Sequence, residues 1–168
     1  MTPQALAKAE ATALRVITES DDAEKIRNIM ESAKRLGSEP VREAAFRKLI
    51  HLLPEEDPGT FEHDFWQTIH AFEEVLRDER GKTVRLSRTR QKITRVGIRR
   101  TLEDFATASQ ATDGFRMLIE RGMPELTGEA IVLRHSESFP DDVVAAARNR
   151  LLGANVDITA LKKCVSWS

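Results

Sequence analysis

Helix punctuation recurs so closely along this chain that it leaves little room for any fold but a helical one. Thr2 followed by Pro3 is a capping side chain before a first-turn proline, and Leu6, Ala13, Leu14 and Ile17 follow at helical spacing. In "SDDAEKIRNIMESAKRLG", Asp21 stands three residues before Glu24 as a capping box, with Ile26, Ile29, Met30, Ala33 and Leu36 on one face and Gly37 placed to end the helix. Ser38 is the expected cap of the next helix, which turns Val41, Ala45, Leu49, Leu52 and Leu53 inward and stops at Pro54. After the turn "EEDPG", Thr60 caps a long helix with Phe61, Phe65, Ile69, Phe72 and Leu76 on one stripe, ending near Gly81.

Beyond position 100 the expected helices are shorter. They start at Thr101, at Thr112 or Asp113, at Pro124 and at Pro140, and Ile158, Leu161 and Val165 outline a last one. The run "EAIVLRH" fits a strand or a buried helix, and its helical surroundings favour the helix. The fold class expected is all-α, a single domain of about seven to nine helices. It is read as an N-terminal lobe 1–80, a basic connecting segment 81–100 and a C-terminal lobe 101–168. A faint echo between "KRLGSEPVREAAFRKLI" and "IERGMPELTGEAIVLRH" raises a helical-repeat arrangement, although two inexact copies carry little.

Charge is distributed unevenly. The formal net charge is -1, yet residues 80–100, "RGKTVRLSRTRQKITRVGIRR", hold nine Lys or Arg and no acid. Elsewhere 17 basic residues face 27 acidic ones, so the segment stands at +9 against −10 for the remainder. Such polarity points either to a polyanionic partner or to a match between basic and acidic surfaces.

If 85–99 is helical, Arg85, Arg88, Lys92, Arg95 and Arg99 fall within an arc of roughly 80°. Leu86, Thr89, Ile93 and Val96 occupy the neighbouring arc. A row of cations at that spacing suits phosphates repeated along a nucleic-acid backbone, and arginine suits forked contacts to them. Gly97 is expected to end or kink the helix, and 82–86 reads equally well as extended, with Ser87 or Thr89 as cap. The expected function is a non-enzymatic nucleic-acid-binding or regulatory module contacting phosphate through Arg85, Arg88, Arg90, Lys92, Arg95, Arg99 and Arg100, with DNA favoured over RNA. The alternative is a helical interaction or adaptor module whose basic segment docks an acidic protein surface or a second copy of the chain. No aromatic residue lies between Phe72 and Phe105, so a local stacking platform for single strands is not expected. A helix-turn-helix centred on Gly97 would present Glu103 and Asp104 to a polyanion, which argues against it.

Enzymatic readings find little support. "GKT" at 81–83 lacks the upstream glycine of a phosphate-binding loop, since Leu76 stands there. His63, Gln67, His70 and Glu74 form a stripe opposite the apolar one and read as a solvent face rather than a metal site. His135 beside Ser136 and Ser138 lacks a nucleophile motif, and Glu73, Asp78 and Lys82 lack the strands that hold a nuclease metal cluster. Neither a cofactor nor a metal is expected. Hydrophobic residues at 40%, charged residues at 32% and a single cysteine fit a cytoplasmic protein, with no disulfide and no membrane partner. Lys8 and Glu10 interrupt the first apolar pattern, which is therefore not a secretory signal.

Overall fold

The computed structural model describes residues 2–162. The chain is all-α. Among the described residues there are eight α-helices, three short 3-10 turns and no strand. None of these helices is long and apolar enough to cross a membrane. The expected last helix is described only as a 3-10 turn at Ala160–Lys162, and Val165 lies outside the described residues.

The chain divides into two compact units between Glu55 and Glu56. The expected joint at 81–100 therefore falls inside the second unit, and the long helix once grouped with the N-terminal lobe packs with the C-terminal one. Periodicity tells which face of that helix is apolar. It does not tell which neighbour covers it.

The first unit contains α1 (Pro3–Glu19), α2 (Ala23–Leu36) and α3 (Glu39–Leu52). Helix α3 packs against both others and joins them around Ile17, Ile26, Ala33, Val41, Ala45 and Leu49. Thr2 caps α1 by accepting the Ala5 N–H at 3.2 Å. Helix α2 is capped by Asp22, whose carboxylate accepts the N–H groups of Glu24 and Lys25, and not by Asp21. The Asp21 carboxylate instead meets Lys48 Nζ at 3.3 Å, where the ammonium also donates to the Thr18 carbonyl. Lys48 is thus buried along its stem with its charge delivered to the α1–α2 connection. Ser38 occupies the cap position of α3 without bonding its first turn, because its hydroxyl donates to Glu10 Oε1 at 2.6 Å.

The second unit is built around a short helix. It holds α4 (Phe61–Arg80), α5 (Ser87–Thr107), α6 (Asp113–Glu120), α7 (Gly128–Arg134) and α8 (Asp141–Gly153). Helix α7 packs against α4, α5 and α8, and every residue from Leu126 to Leu133 is buried. The expected helix from Pro124 is divided in three, with 3-10 turns at Pro124–Leu126 and Ser136–Ser138 on either side of α7. The two stretches that echo each other both turn at a glycine of positive φ, Gly37 and Gly122, but only the second inserts a 3-10 turn before its helix.

Polar groups fix these helices at specific points. Arg150 on α8 donates to the carbonyls of Phe105 and Ala108, closing the C-terminus of α5, and to Glu129 Oε1 at 3.2 Å. Glu129 is only 2% exposed, and burial pushes its carboxyl above the ordinary range despite the bond from Arg150. Asp64 on α4 accepts from His135 Nε2 at 2.8 Å and from Arg134 Nε at 3.3 Å, tying α4 to the end of α7.

Candidate nucleic-acid interface

The basic segment opens where α4 stops. Gly81 takes the left-handed conformation with φ 66° and its N–H returns to the Arg77 carbonyl, so the chain leaves α4 and runs without helix from Lys82 to Leu86. Ser87 is the first helical residue of α5, not its cap, and the cap position is held by Leu86. One carboxylate anchors this entry. Glu73 Oε1 accepts the Leu86 backbone N–H at 2.8 Å and Arg90 Nε at 2.9 Å, while Oε2 accepts Arg90 Nη2 at 2.9 Å. The same guanidinium lies 5.1 Å over the Trp66 ring.

The helix does not run straight through the segment. Gly97 has φ 84° and ψ 165°, far from helical values, and divides α5 into Ser87–Val96 and Ile98–Thr107. Thr101 Oγ1 donates to the Gly97 carbonyl at 2.8 Å across the break. The expected helix starting at Thr101 is the continuation of this second half. The single arc of five cations is therefore interrupted at both ends. Arg85 precedes the helix, Arg99 follows the break, and only Arg88, Lys92 and Arg95 share a straight helical face.

The seven expected contact residues fall into two groups. Arg90 is held by Glu73 and Trp66. Lys92 Nζ meets Asp104 Oδ2 at 2.8 Å and lies 5.7 Å from the Phe105 ring centre. Arg99 pairs with Glu103 at 3.4 Å, and Arg100 pairs with Asp104 at 3.0 Å and with Glu103 at 3.8 Å. The hydrogen bond from Lys92, with the charges of Lys92 and Arg100, holds the Asp104 carboxyl below its usual value. By contrast Arg85, Arg88 and Arg95 are exposed and have no acidic partner among the described residues. Arg80 and Lys82 are in the same state.

Beside the entry to α5 lies an open groove of about 690 Å³. Its walls come from the end of α4, the extended stretch, the first turn of α5 and helix α6. Phe72 lines it from α4, so an aromatic ring that precedes the basic row in sequence shares one groove with Arg85 and Arg88. Glu73, Phe72 and Trp66 all sit on α4, and the sequence joined none of them to the basic segment. Phe72 reads there as part of the apolar stripe and Glu73 only as an acid near Asp78 and Lys82.

The histidine stripe of α4 is not a solvent face. His63 and Gln67 are buried, at 3% and 7% exposure, because α4 is covered on more than its apolar stripe. His70 lies against Trp66, and burial depresses its basicity more than the neighbouring Glu73 raises it. Among the described residues no group of three His, Cys, Asp or Glu side chains is arranged to hold a metal. The His135 ring bonds to Asp64, and among the described residues neither Ser136 nor Ser138 hydrogen-bonds to it. No protein-family model matches the chain, and neither a curated protein nor a solved structure matches it.

Proposed function

We propose that this protein is a non-enzymatic nucleic-acid-binding module whose phosphate contacts are made by Arg85, Arg88 and Arg95. The observation that carries the reading is the division of the seven expected contact residues: three exposed arginines keep no acid of their own while Arg90, Lys92, Arg99 and Arg100 are paired. Arg88 and Arg95 are two turns apart on one face of the first half of α5, about 10 Å along the axis. An exposed guanidinium without a counter-charge gains most from a phosphate, since it gives up only water on binding while the nucleic acid releases its condensed counterions. Arg90, clamped between Glu73 and Trp66, serves in this reading to position the row rather than to touch the ligand.

The test is fluorescence anisotropy of the full chain with a labelled oligonucleotide at about 50 and 200 mM salt. Three phosphate contacts give a slope of log affinity on log salt of about −2.7 for duplex and about −2.1 for a single strand. Charge reversal of Arg88 and Arg95 together abolishes binding. A parent protein that binds no nucleic acid at the lower salt sinks the proposal and turns attention to acidic protein partners.

A further inference from the structure

The groove beside the arginines bears on which nucleic acid is bound. Its lining brings together four apolar side chains, Phe72, Leu76, Val84 and Met117, with Arg85 and Arg88. Phe72, Val84 and Met117 are half-buried, and none of them belongs to the core that α7 organises. Helix α6 runs close to the Phe72 ring at Gly114, where even a Cβ would be in ordinary contact with the ring, 3.4 Å away. The result is an open groove of mixed lining in which apolar side chains and arginines share one space.

Its charges favour an anion. Of the acids around it, Glu79 is paired with Arg121 at 2.9 Å and Asp113 with Arg116 at 2.8 Å. Glu120 remains without a described partner, against Arg80, Arg85 and Arg88. A ligand that suits both features must present an apolar face within a few ångströms of a phosphate. A nucleotide with its base unstacked does so. A duplex offers the phosphates but keeps its base faces stacked inside.

We infer that this groove seats an unpaired base, so that the ligand of the basic segment is single-stranded nucleic acid, its phosphates on Arg85 and Arg88 and one base against Phe72. The inference rests on the phosphate-binding function proposed above and adds the class of strand. It also reverses the expectation, drawn from the lack of aromatic residues after Phe72, that no base platform serves the segment. The platform is supplied from α4.

Three labelled probes of about 12 nucleotides separate the possibilities: a single strand, the same sequence as duplex, and a strand whose sugar-phosphate units lack bases. The single strand is expected to bind about tenfold more tightly than either of the others. Phe72→Ala and Val84→Ser are expected to erase that preference while leaving affinity for the base-free strand unchanged. Val84 lies in the extended stretch outside the core, so its variant tests the groove even if loss of Phe72 disturbs α6. Equal affinity for single strand and base-free strand overturns the inference and leaves the phosphate reading standing. Duplex bound as tightly as the single strand does the same. Absence of binding to all three probes overturns both.

Discussion

Glu73 and Arg90, 17 residues apart in the chain, meet through two parallel hydrogen bonds of 2.9 Å each. The pair is largely enclosed, with side-chain exposures of 13% and 22%. Because Glu73 also takes the Leu86 N–H, a single carboxylate sets both the path of the extended stretch and the start of α5. Glu73→Gln leaves a neutral acceptor in place of a forked ion pair, and the guanidinium above Trp66 loses its counter-charge. The expected cost is about 2–3 kcal/mol in urea unfolding, toward the lower side of what breaking an enclosed ion pair costs. A double-mutant cycle with Arg90→Gln should return a coupling of about 1 kcal/mol or more, and coupling near zero would count against the clamp.

The same chemistry predicts acid sensitivity. Burial raises the Glu73 carboxyl, but the bonds from Arg90 and the Leu86 N–H outweigh it and leave the group below its ordinary value. Asp64 behaves alike, with burial opposed by His135 and Arg134. Carboxyls lowered in this way stabilise the fold above their unfolded values, about 4, and that stability disappears as pH falls through the lower folded values. His70 has the same sign from an earlier point. Its depressed basicity makes the fold weaker as pH drops below about 6.5 toward its folded value. Glu129, raised by burial, works in the opposite sense and blunts the fall. Melting temperature should therefore decline from about pH 7 to 3, and Asp64→Asn should flatten the acid part of the curve.

Gly97 offers a test of pure backbone strain. Its φ of 84° with ψ of 165° lies in a region that residues with a Cβ avoid, yet a Cβ there would meet nothing within 4 Å. Gly97→Ala should cost about 1–3 kcal/mol with no packing contribution. An unchanged unfolding midpoint would show that α5 straightens at little cost, and the helical signal in circular dichroism would then rise.

The two groups of cations should separate in binding experiments. Arg88→Ala is expected to weaken oligonucleotide binding and to reduce the salt slope by about 1. Arg100→Ala should leave that slope unchanged and lower stability by no more than about 1 kcal/mol, since its partners Glu103 and Asp104 lie near the surface. Equal effects from the two variants would remove the distinction on which the proposed contact set depends.

The helices were legible in the sequence because their signals are local. Thr2, Thr60 and Thr112 each stand within three residues of the N–H they cap, and a pattern that short survives translation into one dimension, whereas Thr127, the cap of α7, went unread behind Pro124. Asp21 and Asp22 show the limit of that legibility. The local capping-box pattern favours Asp21, three residues before Glu24, yet Asp22 takes the cap and Asp21 meets Lys48, 27 residues beyond it. The cations were equally plain, but their neutralisation was not. Glu73 is 17 residues before Arg90 and Asp104 is 12 after Lys92, distances set by how α4 and the two halves of α5 fold together. His63 and Gln67 were misjudged for a related reason: polarity marks a residue's chemistry, whereas burial depends on what packs over it.

Helix α7 has seven residues, fewer than an isolated helix needs to persist in water, and the buried run Leu126–Leu133 covers nearly all of it. It therefore has no existence apart from the helices around it, and they have no common centre without it. Partial opening of the second unit at its rim leaves α7 intact, while exposure of α7 amounts to dissolution of the whole unit. Its amide protons should consequently be among the last to exchange with solvent, reporting the global free energy of that unit rather than any local fluctuation.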